Sequence, residues 1–333
     1  MTRPRIYDTV FLMEDKYMRK KPHTLQEAII FFSSIDNCIE YLSAKRWSGK
    51  VTCPICGSER VSAFNPKRRT WKCSTHHPKR EFSVKVGTIF EDSPIGLDKW
   101  LTAVWMLTNC KNGISSYEVA RDLNVTQKTA WFMLHRIRLA LQDDDNNKLS
   151  GDVEVDETFI GGKARNMHLN EKERRITGSG AKDKIVVFGA LERGGKIKTK
   201  VLDGRKKKII HAEVRAHVEA GSALYSDALK SYDGLTQEYA HQVIDHAEKY
   251  VDGKVHTNGL ENFWSLLKRG ISGTYVSVEP FHLFRYLDEQ MFRYNNRKQV
   301  TDSSRFSLAI SKIIGKRLTF ASLTGKLETA CAY

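Results

Sequence analysis

The sequence lacks long apolar runs and a recognisable leader. No segment approaches the ~20 consecutive apolar residues that a membrane-spanning helix needs. The first residues, MTRPRIYDTV, contain no apolar run followed by small residues, so they do not resemble a signal peptide. These absences predict a cytoplasmic protein with no membrane partner, in which the 6 cysteines are reduced and more suited to metal binding than to disulfides.

Acidic residues are also scarce relative to basic ones. Lys and Arg outnumber Asp and Glu by 54 to 39, so the net charge is +15. A charge of this size favours a polyanionic partner, nucleic acid first and an anionic membrane surface second. A basic protein without such a partner is the alternative that composition leaves open. The length of 333 residues and the apolar fraction of 41% predict two or three folded domains.

The spacing of apolar residues divides the chain into two parts. Residues 24–46 and 97–141 have helical periodicity, and short alternating runs lie between them. The acidic segment DDDNNKLS, residues 143–150, has no periodicity and is predicted to be a linker. Beyond it, strands alternate with helices, which predicts a mixed sheet covered by helices. The predicted strands are residues 152–160, 184–192, 196–203, 223–229 and 239–246, and the short strand at 223–229 is predicted to run into a helix.

Three cysteines and two histidines follow a metal-binding spacing. Cys53 and Cys56 form a CxxC pair, and Cys73 with His76 forms a CxxH pair. Structural zinc takes four Cys or His ligands in a tetrahedron, and a two-residue gap lets a tight turn direct two ligands at one ion. The pattern predicts a Cys3His zinc ribbon with His77 as a competing fourth ligand. Four unrelated residues are the other interpretation.

The segment GISSYEVARDLNVTQKTAWFMLHRIRLAL predicts a helix-turn-helix. Ser115 or Ser116 can cap a first helix, with Glu118 closing a capping box on Ser115, and Thr126 can cap the second. The first residues of a second helix presented in this way can reach base edges in the major groove. A helical hairpin within a core is the alternative. The candidates for base contacts are Gln127, Lys128 and Thr129, and those for phosphate contacts are Arg136 and Arg138.

Carboxylates stand near the ends of two predicted strands. In DVEVDETFI, alternation puts Asp152, Glu154 and Asp156 on one face of the strand. In LYSDAL, Asp227 stands where an apolar strand ends. Carboxylates at strand ends can converge on a cation, although a helix cap or an exposed acid is the better explanation of each of them when it is taken alone.

The segment HTNGLENFWSLLKRG predicts an amphipathic helix. Apolar residues recur at i, i+3, i+4 and i+7 from Leu260, which is typical of a buried stripe that includes Trp264. Glu261 and Lys268 lie on an adjacent polar stripe. One interpretation is a capping box, with Asn258 as N-cap and Glu261 as its partner. The other is one wall of an active site, and the local pattern leaves both open.

Six motifs, in this order, resemble a known family. They are CPICGS, FSVKVGTIFEDSPIGLDKW, VEVDETFIGGK, YSDAL, HTNGLENFWSLLKRGISGTY and RYLDEQMFRYNNR. Over about residues 50–300 the sequence resembles insertion-sequence transposases of the DDE superfamily, in the zinc-ribbon group called ISXO-two-like. The resemblance implies an RNase H-like catalytic domain of the integrase type. In CSTHHPKREF the sequence departs from the second CxxC of the group, which leaves the fourth zinc ligand open.

The resemblance also implies the catalytic residues. The first two catalytic aspartates fall on Asp156 and Asp227, the third acid on Glu261 and a trailing lysine on Lys268. Some relatives have asparagine as the third ligand, so Asn258 is a secondary candidate. The three acids are expected to hold catalytic Mg²⁺ or Mn²⁺, with Zn²⁺ as a structural ion. Since clustered acids repel one another without metal, we expect raised pKa values for the three carboxyl groups.

The implied activity is that of a transposase. Such an enzyme binds the terminal inverted repeats of its insertion sequence, cleaves DNA phosphodiesters and transfers the 3′ ends to target DNA. Its expected partners are double-stranded DNA and further copies of the chain, in a dimer or higher oligomer at the nucleoid of a prokaryote. The basic loop at 161–184, with Lys163 and Arg165, is predicted to contact phosphates. The alternatives are a catalytically inactive, transposase-derived DNA-binding protein and a structure-specific nuclease or RNase H.

These interpretations predict a multidomain protein. Its fold class is an N-terminal α region with a small zinc ribbon and a helix-turn-helix, followed by an α/β RNase H-like domain with a mixed five-stranded sheet. The predicted boundaries are 1–46 for an N-terminal helical segment, 47–92 for the zinc ribbon, 93–142 for the helix-turn-helix region, 143–150 for the linker, 151–300 for the catalytic domain and 301–333 for a C-terminal tail.

Overall fold

The structure divides the chain into two compact units. One unit runs to Leu141 and includes the residues from Gln299 onward, and the other is Gln142–Lys298. In the described part of the chain, no helix is both long and apolar enough to cross a membrane. The structure is a computed structural model, and it describes residues 21–47, 49–143, 145–161, 170, 184–227, 229–244, 256–298 and 300–325.

The first unit packs its helices around one apolar helix. Helix α3 is apolar on most sides, and its Trp100 and Trp105 are each 1% exposed. Phe306, from the segment predicted as a C-terminal tail, packs against Trp105 with ring centroids 5.0 Å apart. Residues near both ends of the described chain therefore share this core. The helices concerned are α1 (Leu25–Phe32), α2 (Ile35–Arg46), α3 (Leu97–Asn109), α9 (Asp302–Ser311) and the short α10 (Phe320–Leu323).

Two further helices of this unit form the predicted helix-turn-helix. Helix α4 (Ser116–Asp122) begins with the capping box of Ser115 and Glu118 that the sequence predicts. The side chain of Thr126 accepts a hydrogen bond from the N–H of Thr129 at 3.2 Å, so it caps α5 (Gln127–Leu141) as predicted. The local pattern was sufficient here because both caps depend only on residues three apart.

A two-stranded antiparallel sheet lies between α2 and α3 in the sequence. It consists of β1 (Trp71–Lys72) and β2 (Glu81–Phe82). The rings of Trp71 and Phe82 stack with centroids 6.1 Å apart, and Trp47 meets Trp71 edge-on at 5.2 Å. This small aromatic core supports the segment that carries the cysteines.

The second unit contains a five-stranded mixed sheet with the strand order β5-β4-β3-β6-β7. β3, β4 and β5 form an antiparallel meander, whereas β6 pairs in parallel with both β3 and β7. This arrangement is consistent with an RNase H-like fold, and the predicted fold class is confirmed. The strands are β3 (Asp152–Ile160), β4 (Ile185–Glu192), β5 (Ile197–Leu202), β6 (Ala223–Asp227) and β7 (Ala240–Ile244).

Helices cover both faces of this sheet. Val153 and Val155 point into one core with Val214 of α6, whereas Ile160 belongs to the opposite core with Leu260 of α7. The side chains of β3 therefore alternate between the two faces of the sheet as the sequence predicts, and the even-numbered residues face α7. The helices of this unit are α6 (Lys207–His217), α7 (Asn258–Arg269) and α8 (Leu283–Asn295).

The segment after β6 differs from the prediction. The sequence indicates a helix there, but the structure has two short 3₁₀ turns, Lys230–Tyr232 and Leu235–Gln237. Gly234 separates them with a φ of 87°, a left-handed conformation that interrupts a helix and that glycine adopts without strain. The buried Tyr232 ring holds the first turn against the sheet.

Candidate active site and zinc centre

Cys53, Cys56, Cys73 and His77 converge on one point. Their ligand atoms all lie within 4.8 Å of one another. Cys53 Sγ is 3.4 Å from His77 Nε2, and Cys56 Sγ is 3.6 Å from Cys73 Sγ. With Zn–S bonds of ~2.3 Å, two sulfur ligands of a tetrahedral zinc lie about 3.8 Å apart, so the cluster fits this ion.

His76 is not the fourth member of this cluster, which corrects the first choice made from the sequence. His76 is exposed, whereas the competing candidate His77 is half-buried beside the cysteines. The residues after Cys73 form a loop that returns to Arg80, whose carbonyl accepts the N–H of Cys73 at 2.8 Å. His77 is closer than His76 to Arg80 in this loop, and its imidazole reaches the thiol of Cys53.

The electrostatics of the cluster suit a thiolate-binding metal. Burial raises the pKa of the Cys73 thiol, but hydrogen bonds with His77 and Thr75 together outweigh it and lower the pKa to about 6. A thiol with this pKa is largely ionised at neutral pH, and the thiolate is the form that binds zinc. Three cysteines and one histidine would thus hold a closed structural zinc.

Two of the predicted catalytic acids occupy matching positions on neighbouring parallel strands. β3 and β6 pair in parallel with Glu154 opposite Tyr225. Continuing this register by two residues sets Asp156 beside Asp227, the last residue of β6. Because both acids have the same phase in the pleat, their side chains point to the same face of the sheet.

Helix α7 lies over that face and meets Asp156 through a tryptophan. Trp264 Nε1 donates a hydrogen bond to Asp156 Oδ2 at 2.9 Å. The residue opposite Asp156 on β4 is Gly189, and a Cβ there would lie only 2.6 Å from the Trp264 ring. The glycine therefore lets the indole lie against the strand. Glu261, one turn earlier on α7, is exposed, and its charge acts on Asp156.

The charges of Asp227 and Glu261 act on the carboxyl group of Asp156. Burial, and then the charges of Asp227 and Glu261, raise the pKa of Asp156 to about 7 against the opposing hydrogen bond from Trp264. Burial raises the pKa of the adjacent Glu157 to about 7 as well, although Tyr232 donates a hydrogen bond to it. A divalent cation compensates such a concentration of negative charge, and carboxylate oxygens are the ligands Mg²⁺ prefers, so the donor set fits.

The acidic site is more open than the zinc cluster. Within the described residues, the four-residue zinc cluster is the one group whose Cys, His, Asp or Glu ligand atoms all lie close enough to share a single ion. The acids on β3, β6 and α7 therefore line a wider site. Wide spacing of the carboxylates is typical of Mg²⁺ sites in which waters and substrate oxygens supply some of the ligands.

The capping box that competed with a catalytic role for Glu261 is absent. Helix α7 begins at Asn258, its N-cap is Thr257, and no side chain of the N-cap makes a capping hydrogen bond. The N–H of Leu260 instead donates to Glu154 Oε2 at 3.1 Å. The Glu154 carboxylate of β3 thus accepts a hydrogen bond from the first turn of the helix. The interpretation of Asn258 as the N-cap is wrong.

The three acids of one face of β3 have different environments, which alternation could not distinguish. Asp152 accepts a hydrogen bond from the Tyr225 hydroxyl at 2.9 Å. Glu154 is 1% exposed and pairs with Arg193 at 2.9 Å. Asp156 is the one that meets the charges of the other catalytic candidates.

Comparison with known proteins identifies two domains. Residues 34–75 match the transposase zinc-ribbon domain, and residues 148–295 match the ISXO2-like transposase domain. The chain carries the domains of an ISXO2-like transposase. The resemblance seen in the sequence motifs is thereby confirmed, as is the presence of a zinc-ribbon domain.

Two relatives agree with this assignment. The chain is 28% identical over 254 residues to an uncharacterized protein in transposable element ISH50 of Halobacterium salinarum, a match that covers 72% of this chain and 84% of the relative. It is 29% identical over 102 residues to an uncharacterized transposase-like protein of Haemophilus influenzae, covering 30% of this chain and 82% of the relative.

The candidate base-contacting residues on α5 differ in exposure. Lys128 is exposed, and its Nζ lies 4.9 Å from the centre of the Phe320 ring. Gln127 is half-buried and donates from Nε2 to Ser116 Oγ at 2.8 Å. Thr129 is half-buried as well, with its hydroxyl 2.8 Å from that of Thr126. Lys128 is therefore the most accessible of the three.

Arg136 does not have the exposure that a phosphate contact requires. It is 4% exposed, its Nε donates to the carbonyl of Leu318 at 3.0 Å, and its Nη2 donates to the carbonyl of Glu91 at 2.8 Å. Arg138 is also buried, at 1% exposure. Because segments distant in sequence pack over α5, the helical pattern alone could not reveal this burial, and we do not retain these arginines as DNA contacts.

Two further candidates lie on α7, the helix that carries Glu261. Lys268 is exposed on α7, on the same stripe as Glu261. Asn258 is exposed on the first turn of that helix. Lys163 and Arg165 fall outside the residues that the structure describes.

Proposed function

We propose that this transposase binds the terminal inverted repeats of its insertion sequence, cleaves DNA phosphodiesters there and transfers the 3′ ends to target DNA. The observation that carries the proposal is the placement of acids on one sheet face. Asp156 and Asp227 have matching positions on adjacent parallel strands, and α7 presents Glu261 over the same face.

We assign the divalent-ion ligands to these three acids. Asp156, Asp227 and Glu261 would hold the ions, with Asn258 as a secondary ligand. Two Mg²⁺ or Mn²⁺ ions, when bound, activate the attacking oxygen, which is water in cleavage and a 3′ hydroxyl in joining, and stabilise the leaving oxygen.

The side chains of the protein position the carboxylates and the DNA. Trp264 holds Asp156 by its 2.9 Å hydrogen bond and so sets the direction of that carboxylate. Lys268, exposed two turns along α7 from Glu261, would meet a phosphate near the cut. Lys163 and Arg165 would contact phosphates as well. Such contacts position DNA without reading its sequence and weaken as salt rises.

The N-terminal unit would recognise the element ends. The zinc-ribbon domain and the Cys3His cluster indicate a structural zinc that holds the ribbon together. The start of α5 would enter the major groove, with Lys128 as the foremost contact and Gln127 and Thr129 beside it. Bringing two element ends together requires at least a dimer on DNA.

The test uses purified protein and a plasmid that carries the DNA flanking the gene. We expect breaks at the flanks that require Mg²⁺ or Mn²⁺ and that disappear with Asp227→Ala. The matched control is Asp203→Asn, which changes an exposed acid in the same unit just beyond β5 and should cut like the wild type.

Each result has a defined meaning. Metal-dependent cuts at the flanks that Asp227→Ala alone removes support the transposase and its second acid. Binding to the flanks without cleavage supports an inactive, transposase-derived DNA-binding protein. Cleavage of any duplex or of RNA–DNA hybrids without preference for the flanks supports a nuclease of the same fold.

A further inference from the structure

A buried ion pair joins the sheet of the second unit to the start of α7. Glu154 on β3 is 1% exposed, and its Oε1 accepts a hydrogen bond from Arg193 Nε at 2.9 Å. Its other oxygen accepts the N–H of Leu260, within the first turn of α7, at 3.1 Å. One carboxylate therefore contacts both the β4–β5 turn and the helix.

Arg193 contacts the segment that leads into the helix. Its Nη2 donates to the carbonyl of His256 at 2.7 Å, and His256 Nδ1 is 3.3 Å from Glu154 Oε1. The guanidinium also stacks over the Tyr225 ring on β6, with 4.0 Å between the guanidinium carbon and the ring centre. β3, β6 and the β4–β5 turn thus contribute to holding His256, which lies two positions before the start of α7.

The chain approaches Glu154 at a glycine. A Cβ on Gly259 would lie 2.7 Å from Glu154 Oε2 and 2.5 Å from a methyl of Leu191. The helix start could not come this close to the sheet with any larger residue. The close approach is what lets Glu154 reach the N–H of Leu260 directly.

We propose that Glu154 and Arg193 are positioning residues that set the height and rotation of the first turn of α7, and thereby the place of Glu261 over Asp156 and Asp227. The pair holds the helix start, and Trp264 holds the helix one turn later through Asp156. Glu154 is thus distinguished from the metal-binding acids, because its charge is already paired with Arg193. The inference rests on the proposed function of Glu261.

The first test measures metal binding without DNA. In a thermal-stability titration with Mn²⁺, we expect Glu154→Gln to raise the half-saturating concentration about tenfold, which corresponds to ~1.4 kcal/mol. Arg193→Gln should raise the half-saturating Mn²⁺ concentration as well. Arg193→Lys should raise it less, because lysine keeps the positive charge but lacks the planar guanidinium that donates to both Glu154 and the His256 carbonyl.

A double-variant cycle separates positioning from general loss of structure. Glu261→Gln removes the proposed ligand, so adding Glu154→Gln to it should change the half-saturating Mn²⁺ concentration less than twofold. Glu289→Gln is the matched control, because it also breaks a buried pair with an arginine, Arg293 on α8. It should lower thermal stability and leave the half-saturating Mn²⁺ concentration unchanged.

Amide hydrogen exchange tests the contact independently of metal. We expect exchange at residues 258–261 to be at least tenfold faster in Glu154→Gln than in the wild type, while β4 remains protected. The inference would be overturned if Glu154→Gln and Glu261→Gln had additive effects on the free energy of Mn²⁺ binding. Unchanged amide exchange in the first turn of α7 would also overturn it. A wild type that neither cuts DNA nor is stabilised by Mn²⁺ would overturn the proposed function instead, and the exchange result would still decide on the ion pair.

Discussion

The two candidate metal sites of this protein are assembled in opposite ways. In the zinc cluster, Cys53 and His77 are 24 positions apart in the sequence, and tight local turns bring the ligands together. In the acidic site, Asp156 and the Trp264 that orients it are 108 positions apart, and the packing of α7 on the sheet brings them together. The first site is closed and built from soft ligands, and the second is open and built from carboxylates.

This contrast has a functional reason. A structural ion stabilises a small domain best when four protein ligands enclose it, which short spacings achieve. A catalytic ion must keep positions for substrate oxygens, so its ligands come from several rigid elements around an accessible face. The two sites should therefore respond independently to substitution.

The largest expected effect separates the sites by activity. Asp227→Asn removes a proposed ligand of the catalytic ions, so DNA cleavage should fall on the order of 1,000-fold or more. The zinc content, measured by metal analysis of the same preparation, should equal that of the wild type. Loss of zinc together with activity would show that the sites are not independent.

The second effect concerns the fourth zinc ligand. His77→Ala should weaken zinc binding roughly 100-fold, because one of four ligands is lost, whereas His76→Ala should leave it within about twofold. Competition with a chromophoric chelator measures both variants. Equal losses in the two variants would mean that the histidines exchange roles.

The third effect is a pH dependence of stability in the metal-free protein. Since the pKa of Asp156 is raised to about 7, its stabilising contribution is present at low pH and is lost as pH rises from about 4 to about 7. Asp156→Asn should therefore raise the free energy of unfolding at pH 8 by roughly 1–3 kcal/mol.

Chemical denaturation at pH 5 and pH 8 without metal measures this difference. The pKa of Glu157 is also raised to about 7, and this residue is unchanged in the variant. The free energy of unfolding of the variant should therefore still fall between pH 5 and pH 8, but by less than in the wild type. Saturating Mg²⁺ should stabilise the wild type and have little effect on the variant. A variant less stable than the wild type at pH 8 would contradict the assigned cause.

The smallest expected effect concerns DNA contact at the acidic site. Lys268→Gln should weaken DNA binding by about tenfold at low salt and reduce the slope of log K against log[salt] by about 0.9. Lys230→Gln, at an exposed lysine of the 3₁₀ turn after β6, serves as the control. Equal losses for the two lysines would indicate a diffuse charge effect.

Features with short-range causes were predicted closely from the sequence. The alternation of DVEVDETFI predicted a strand at 152–160, and β3 has those bounds. The capping box of Ser115 and Glu118 is present because its two bonds join residues three apart. The buried stripe of α7 contains Leu260 and Trp264, as its spacing indicates.

Features that depend on distant segments were missed. Arg136 was expected at the surface, but the carbonyls of Glu91 and Leu318 surround its guanidinium. Trp264 was assigned to the core from its stripe, and its bond to Asp156 went unpredicted. One signal could have pointed to that bond, since Trp264 follows Glu261 by three positions and so lies on a neighbouring part of the helix surface.

The sequence by itself determined the elements, the ribbon spacing and the set of acids from which a catalytic site could be drawn. Alternation, capping and ligand spacing act over a few residues, so they can be read along the chain. The tertiary structure alone decided which acid of β3 meets Asp227 and Glu261, which histidine joins the cysteines and which carboxylate holds the start of α7. The choices among the carboxylates depend on strand register and on helix packing between segments more than 70 positions apart, such as Asp152 and Tyr225. The choice of histidine depends on how the loop after Cys73 folds back toward Cys53.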